Sequence, residues 1–588
     1  MIFHLCCRES IKDYKLKQIL ISMFVTLNIL FASTVISKEE ISSAIGSSIN
    51  NHANSTYFKV IDTLYQMNEH QPFWIGTARA QQFTAMLDIL QNPLYNYKNK
   101  NFNHDEIVSA AFELDSGNLV QNERIKTLAD IDVMMTEGFL KLLRFVRIGD
   151  VDWNLVKEKL RRLKEEQDVH AVWEIKVKSM PSAKELYSVL SKGDISGYIY
   201  RQLPLVDRYK TLIKMLQKYR KMPKFSKLHE GRKLKIGTSD DRIAQIKRMM
   251  IFFGDLPKNT HIDSSFDRSF AKAVKHFRQR FKLTPGEFID NKMIKYLNWT
   301  KKEYLDTIIV NLDKLKLYPH TFEKRFIEVN VPEFKMRFYE NGKSIFSSDI
   351  VVGRIDRPTP IFSSRMTYMV LNPTWTIPDN LVKKDLIPML KKHPKYLQEH
   401  NIHVFTSYKK GAQESELDME KLFSYEHSDK PVPYRFVQYP SESNALGKVK
   451  FMFPNKYSVY LHDTDNKKLF VYRYRVFSSG CMRVEKPFDF MNLLLRYTSG
   501  NYSITKANEI LESNKPTTLK LKQAIPVHIV YFTARKESGR EYFFYDIYLH
   551  DQIIRESTEG NIKSTFTVPK KRLDPLRKKR KKRNFFRL

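Results

Sequence analysis

The hydrophobic period of this 588-residue chain changes near residue 323, and that switch limits the architectures open to it. Upstream, Ile125, Leu128, Ile131, Met134 and Met135, Phe139, Leu142 and Leu143 recur at three and four through Ile148, until Gly149 stops them. That is the stripe of an amphipathic helix, and Leu186, Val189 and Leu190 repeat it on a shorter one. Downstream, Ile327, Val329 and Val331, then Phe334, Met336 and Phe338, alternate with polar neighbours before a turn at Glu340-Asn341-Gly342-Lys343, the pattern of paired strands. Further strand patterns cover residues 349–353, 366–371, 448–453, 457–462, 526–533 and 542–549. Between Pro378 and Pro440 the pattern turns helical and polar, as an insertion would. A multidomain α+β chain follows, helical in its first half and built on a largely antiparallel sheet in its second.

The boundaries follow from composition. Within residues 1–37 a basic stretch, Lys12 to Lys17, precedes the apolar run Ile19 to Ala32, which reads as a signal peptide or, uncleaved, as a signal anchor. The remainder is then exported, to the periplasm, with the anchored form held at the inner membrane. Residues 38–56, rich in Ser, Asn and Ala, read as a linker, and residues 57–230 as a helical domain completed by 299–322. Residues 234–298 read as three short helices, 323–556 as the sheet domain with its insertion at about 378–440, and 557–588 as a basic disordered tail. The formal charge is +34, and the eleven basic residues and one acid of the tail's stretch 570–588 leave the rest at about +24. For an exported chain an anionic membrane or wall polymer is the expected contact of that tail, a solvated tail without a partner is the plain alternative, and nucleic acid conflicts with the export signal.

Cys6 and Cys7 precede the apolar run, so Cys481 is the one cysteine of the exported part. It lies in Ser478-Ser479-Gly480-Cys481-Met482-Arg483-Val484, downstream of Tyr460-Leu461-His462-Asp463-Thr464. A lone thiol in an oxidising compartment has no disulfide partner. It is either an inert buried residue or a nucleophile with a separate base. His462 and Cys481 are nineteen residues apart, a spacing that fits two neighbouring strands. An imidazole in reach would lower the thiol pKa or take its proton on attack. The main-chain carbonyl of Asp463 would orient the ring, and the N–H groups of Ser479, Gly480 and Cys481 would bind an oxyanion. Arg483 would place a cation near the nucleophile, suited to a substrate carboxylate. His400 and His403 stand three apart without the further ligands a metal site needs, so no metal is expected.

The two motifs together resemble the active-site signature of the L,D-transpeptidases with a YkuD-type catalytic domain, most of all their large, YcbB-like subgroup. The resemblance extends to Val351-Val352-Gly353, Arg357 to Ser363, Leu371-Asn372-Pro373-Thr374-Trp375-Thr376-Ile377-Pro378, Pro433 to Phe436, and Asn444 to Asn455. Residues 57–230 resemble that subgroup's scaffold domain and 234–298 a peptidoglycan-binding module. The resemblance implies a β-sandwich-like catalytic domain whose insertion is a helical lid. It implies that Cys481 attacks the peptide bond after the diamino acid at position three of a tetrapeptide stem, releasing D-alanine. The thioester then passes to a second stem as a 3→3 cross-link. It also implies roles: His462 as general base, Asp463 as main-chain orienter, Gly480 and Ser479 as oxyanion backbone, and Arg483, Tyr460, Trp375 and Asn372 as substrate-binding positions. The implied partners are peptidoglycan stem peptides and glycan, with no cofactor and no metal. Ser479 stands where the wider family has a second histidine, as in the subgroup, and Asp290 where the binding module usually has glycine. The alternatives are an L,D-carboxypeptidase or a wall-protein attachment or release enzyme using the same acyl-enzyme, and a non-catalytic wall-binding scaffold.

Overall fold

The computed structural model describes residues 37–115, 119–409 and 411–559. The expected signal segment before Ser37 and the basic tail after Glu559 lie outside the described residues. The chain divides into two compact units: one holds the residues up to Val151 with Ile175–Lys224 and Thr300–Phe322, the other Asp152–Glu174, Phe225–Trp299 and the residues from Glu323 onward.

The first unit is helical and centred on the helix Gln121–Arg147, whose stripe Ile125, Leu128, Ile131, Met135, Phe139, Leu142 and Leu143 is buried. One carboxylate on that helix organises the chain around it. Asp132 is fully buried and accepts the main-chain N–H groups of Phe73, Trp74 and Ile75 at 3.0, 2.8 and 2.9 Å and the Tyr65 hydroxyl at 2.5 Å. These bonds satisfy donors that would otherwise be buried unpaired. The expected linker at 38–56 is corrected here. Lys38–Asn51 is a helix opened by a capping box between Ser37 and Glu40, and Ile41, Ile45 and Ile49 are 3%, 0% and 2% exposed. Three isoleucines four residues apart make one apolar stripe, which the surrounding serines and asparagines mask in composition.

In the second unit, residues 152–174 depart from the expected 57–230 block. The helix Trp153–Gln167 meets the helix His550–Thr558 through Lys159 and Glu556 at 2.8 Å, and the Glu174 N–H donates to the Ile361 carbonyl at 2.8 Å. Within residues 234–298 run the helices Asp241–Phe253, Arg268–Arg280 and Asn291–Leu297. Asp290 caps the last of them, accepting from the Met293 N–H at 2.9 Å, and pairs with buried Arg278 at 3.1 Å.

The sheet domain supplies the strands β1 (Arg325–Asn330), β2 (Lys335–Glu340), β3 (Lys343–Gly353), β4 (Ser363–Leu371), β5 (Trp375–Thr376), β6 (Ile402–Phe405), β7 (Arg435–Gln438), β8 (Val449–Met452), β9 (Leu461–His462), β10 (Val476–Ser478), β11 (Met482–Val484) and β12 (Thr517–Val530). Nine of these, among the described residues, form one sheet in the order β10-β3-β11-β9-β8-β4-β12-β1-β2, and β2 also pairs with β3. The expected sandwich-like core is therefore a single sheet whose order closes on itself. Pairing is mostly antiparallel, with parallel ladders where β9 meets β11, β1 meets β12 and β3 meets β10. β6 and β7 of the insertion at 378–440 join β5, just before it, in a small sheet, β5-β7-β6, and Leu386, Ile387, Leu390 and Phe436 form a core with Ile377. Trp375 belongs to that core, and Tyr460 packs against it.

Ile45→Ala tests the correction at the N-terminal helix. Removing a fully buried side chain should cost about 2–4 kcal/mol, seen as an earlier chemical-unfolding transition, whereas a linker residue would leave the transition in place.

Candidate active site

The run Tyr460 to Thr464 contributes only two residues to the sheet, fewer than the strand expected at 457–462. Asn455 folds the chain back just before it. Its Oδ1 accepts from the Tyr457 and Val459 N–H groups at 3.0 and 3.3 Å, and its Nδ2 donates to the Phe453 and Val459 carbonyls at 2.7 and 2.8 Å. Ser458, in the turn, has φ 54°, and the Cys481 thiol donates to its carbonyl at 3.9 Å.

β9 lies between β8 and β11. His462 is opposite Lys450 on β8 and opposite Arg483 on β11. Directly opposite residues share a face, so Lys450, His462 and Arg483 form one row across three strands. Tyr460 and Cys481, two residues back on their chains, fall on the same face, where the Met482 N–H extends the ladder to the Tyr460 carbonyl at 3.0 Å. His462, Arg483, Tyr460, Cys481 and Ser479 line a cleft of about 310 Å³, with Trp375, Pro378, Asn380 and Leu381 on its other side.

Burial pushes the Cys481 thiol up from its ordinary value, while hydrogen bonds from the Tyr460 main chain and hydroxyl and the Lys450 and Arg483 cations pull against it. Burial holds the Tyr460 hydroxyl well above its ordinary value, and the Trp375 side chain pulls against that. Burial, reinforced by the cations of Arg483, Lys450 and Lys467, holds the His462 imidazole well below its ordinary value, opposed by the Asp463 main chain, which favours the protonated ring. The resting pair is a thiol and a neutral imidazole. His462 Nδ1 is buried without a partner of good hydrogen-bond geometry. The Asp463 carboxylate is engaged elsewhere: it accepts the Lys448 N–H at 2.9 Å and pairs with Lys467. Gly447, at φ 61°, passes so close that a Cβ there would lie 2.3 Å from that carboxylate.

Two expected roles change. Gly480 adopts φ 119°, which favours glycine, but its N–H already donates to Ser478 Oγ at 3.2 Å while its carbonyl accepts from Thr359 Oγ1 at 2.9 Å. It shapes the turn and offers no free oxyanion donor in this state. Asn372 is fully buried and does not line the cleft. It takes φ 50° after β4, a conformation asparagine tolerates, and donates to the Ile510 carbonyl at 2.7 Å. Its role is structural. Ser479, two residues before Cys481, accepts from Arg357 Nη1 at 3.0 Å, and Arg357 also pairs with Asp385 of the insertion. Arg483 is 9% exposed with Nε unpartnered, its Nη1 donating to Thr464 Oγ1 at 3.3 Å. Away from the cleft, His400 stacks on Tyr396 and His403 pairs with Glu414.

Residues 324–501 match the family model of the YkuD L,D-transpeptidase catalytic domain, and residues 59–216 that of the Scaffold domain. The chain carries a YkuD L,D-transpeptidase catalytic domain. A Haemophilus influenzae protein named "Putative L,D-transpeptidase" is 32% identical over 309 residues, covering 51% of this chain. The chain spans 59% of the length of that relative. Among solved structures, the L,D-transpeptidase of Stackebrandtia nassauensis is 12% identical, covering 54% of this chain and all of its own, at a TM-score of 0.18. The Ldtfm–avibactam carbamoyl enzyme is 13% identical, covering 64% of this chain and 98% of its own, at a TM-score of 0.16. Neither likeness is close enough to bear on the fold.

Sequence reasoning about the YkuD domain missed Lys450, Ser458 and Arg357. Lys450 was accessible from alternation alone: Val449 and Phe451 are fully buried on either side of it, which sends the lysine to the opposite face. Ser458 and Arg357 depend on turns and long-range contacts that no local pattern encodes. Because Asn372 is structural, Asn372→Ala should lower stability by about 1–3 kcal/mol while the alkylation rate of Cys481 in the folded protein stays at the wild-type value.

Proposed function

We propose that this protein is a peptidoglycan L,D-transpeptidase that forms 3→3 cross-links through a thioester on Cys481. The observation carrying the reading is the parallel β9–β11 pairing, which brings His462 and Cys481 to one cleft floor. In the first half-reaction the neutral imidazole of His462 takes the thiol proton as sulfur attacks the carbonyl of the diamino acid at position three. The main-chain N–H groups of Ser479 and Cys481 are the proposed donors to the oxyanion. Collapse breaks the peptide bond, and the departing D-alanine amine takes the proton back from His462. In the second half the side-chain amine of another stem attacks the thioester, gives its proton to His462 and releases the thiolate, which recovers it.

Arg483, a lining residue with a buried, unpartnered Nε in a cleft otherwise poor in charge, is assigned to a substrate carboxylate. Tyr460 and Trp375 are assigned to support of the sulfur as well as substrate contact. The insertion is assigned as a lid, since Pro378, Asn380 and Leu381 close one side of the cleft. Residues 234–298 are assigned as a peptidoglycan-binding-like module, the exported compartment as the place of action, and the basic tail as a contact for anionic membrane or wall polymer.

Cys481→Ala should abolish the covalent adduct with a tetrapeptide donor or a carbapenem in intact-mass spectrometry, and an adduct of unchanged mass and yield would remove the cysteine from this role. His462→Ala should fold and lose turnover. Muropeptides from walls incubated with the enzyme should contain new 3→3 dimers. Trimmed tripeptides would instead mean a carboxypeptidase, and unchanged walls a scaffold.

The depressed His462 value sets the pH response. The base is lost only when the imidazole is protonated, which requires a pH well below its ordinary range. The acid limb of kcat/KM should therefore lie below about pH 6.5, the unperturbed imidazole value, and a limb at or above that value would contradict the buried neutral base.

A further inference from the structure

One charged group beside this site has no part in the half-reactions above. Lys450 stands opposite His462 on β8, and its ammonium lies 4.0 Å from the centre of the Tyr460 ring. It makes no ion pair among the described residues, and it does not line the cleft. Half-buried against the Tyr460 ring and outside the cleft lining, it is placed to act on the reacting pair without touching a substrate.

The groups facing the pair come from each neighbouring element. β8 supplies Lys450, and β11 supplies Arg483. The turn after β9 supplies Asp463, Asp465 and Lys467. Asp463 is occupied by Lys467 and the Lys448 N–H, and Asp465 acts on Arg483. The insertion contributes Pro378, Asn380 and Leu381 to the cleft wall, none of them charged. The imidazole therefore sits between two cations, with the nearby carboxylates already committed. Lys450 is the cation of the two that has only an aromatic face for a partner.

We propose that Lys450 is a positioning residue for the Cys481–His462 pair: its ammonium, packed behind Tyr460, disfavours an imidazolium at His462 and favours negative charge on the sulfur. Both effects have one sign. A fixed positive charge lowers the proton affinity of the imidazole and of the thiolate together, as the Lys450 contributions at both residues do here. The base is kept ready to accept, the thiolate formed by proton transfer is stabilised, and the imidazolium is disposed to pass its proton on to the leaving amine. The proposal rests on Cys481 and His462 as nucleophile and base but not on the identity of the acyl acceptor.

The test is the pH dependence of Cys481 alkylation by iodoacetamide in the full chain, read on the Cys481 peptide by mass spectrometry so that Cys6 and Cys7 do not contribute. In Lys450→Met the alkylation midpoint should move up by about one pH unit, with about tenfold slower reaction at a fixed pH below it. Lys450→Arg should keep the wild-type midpoint. Circular dichroism follows folding, and Lys450→Gln replaces the methionine variant if that one is unfolded. An unshifted midpoint in the neutral variant overturns the proposal, and so does an equal shift in Lys450→Arg, which would mean that shape and not charge matters. No peptidoglycan enters this measurement, so walls unchanged by the wild-type enzyme would count against the transpeptidase reading and leave the alkylation result standing.

Discussion

A two-residue strand, Leu461–His462, holds the site in register, because it is paired on both sides at once, antiparallel to β8 and parallel to β11. Side chains alternate along a strand, so a slip by one residue would turn His462 into the core and Leu461 into the cleft. The two side chains are unequal tenants of those positions: Leu461 is fully buried and apolar, whereas His462 is 4% exposed and has hydrogen-bonding nitrogens to satisfy. Turning the leucine out of the core would forfeit about 1.5–3 kcal/mol of apolar burial. Packing thus selects the register that presents the imidazole, and that register sets the positions of Arg483 and, two residues back, Cys481.

The same placement decides which protonation states are available. A preformed thiolate–imidazolium pair needs an environment that welcomes the charged ring, through an adjacent carboxylate or open water. Here the ring lies between Lys450 and Arg483 and is largely removed from solvent, while the nearest carboxylate, Asp463, is spent on Lys467 and the turn at Gly447–Lys448. A neutral pair at rest follows, with charge separated only during attack. Tyr460 fits that arrangement, since it pulls the thiol down against the effect of burial and its ring lies against the Lys450 ammonium. One side chain therefore links the aromatic wall of the insertion, through Trp375, to the electrostatics of the sheet.

Much of this was legible in the sequence, and the limits have physical causes. The change of period near residue 323 marks where sheet pairing begins, because alternation and helical stripes are local properties that side-chain direction imposes. The spacing of His462 and Cys481 fits neighbouring strands, and the structure pairs those strands in parallel through a crossover. The Lys38–Asn51 helix was hidden because its stripe uses three isoleucines among serines and asparagines, residues that composition assigns to loops. Asn372 lay inside a run that resembles the catalytic domain, yet its positive φ and its bond to Ile510 depend on a helix more than a hundred residues away.

Arg357 shows most directly why contacts of that kind escape sequence reading. Its guanidinium reaches Ser479, two residues before Cys481, and Asp385 in the insertion, two segments far apart along the chain. Neither neighbour is specified by the residues around Arg357, whose local sequence reads only as a turn rich in Pro and Arg. The planar fork of the guanidinium lets one residue satisfy both a hydroxyl and a carboxylate. A lysine could carry the charge but not the two-sided geometry. The loop bearing Cys481 is thereby coupled to the insertion by a single charged side chain, and the state of the cleft mouth and the setting of that loop are not independent.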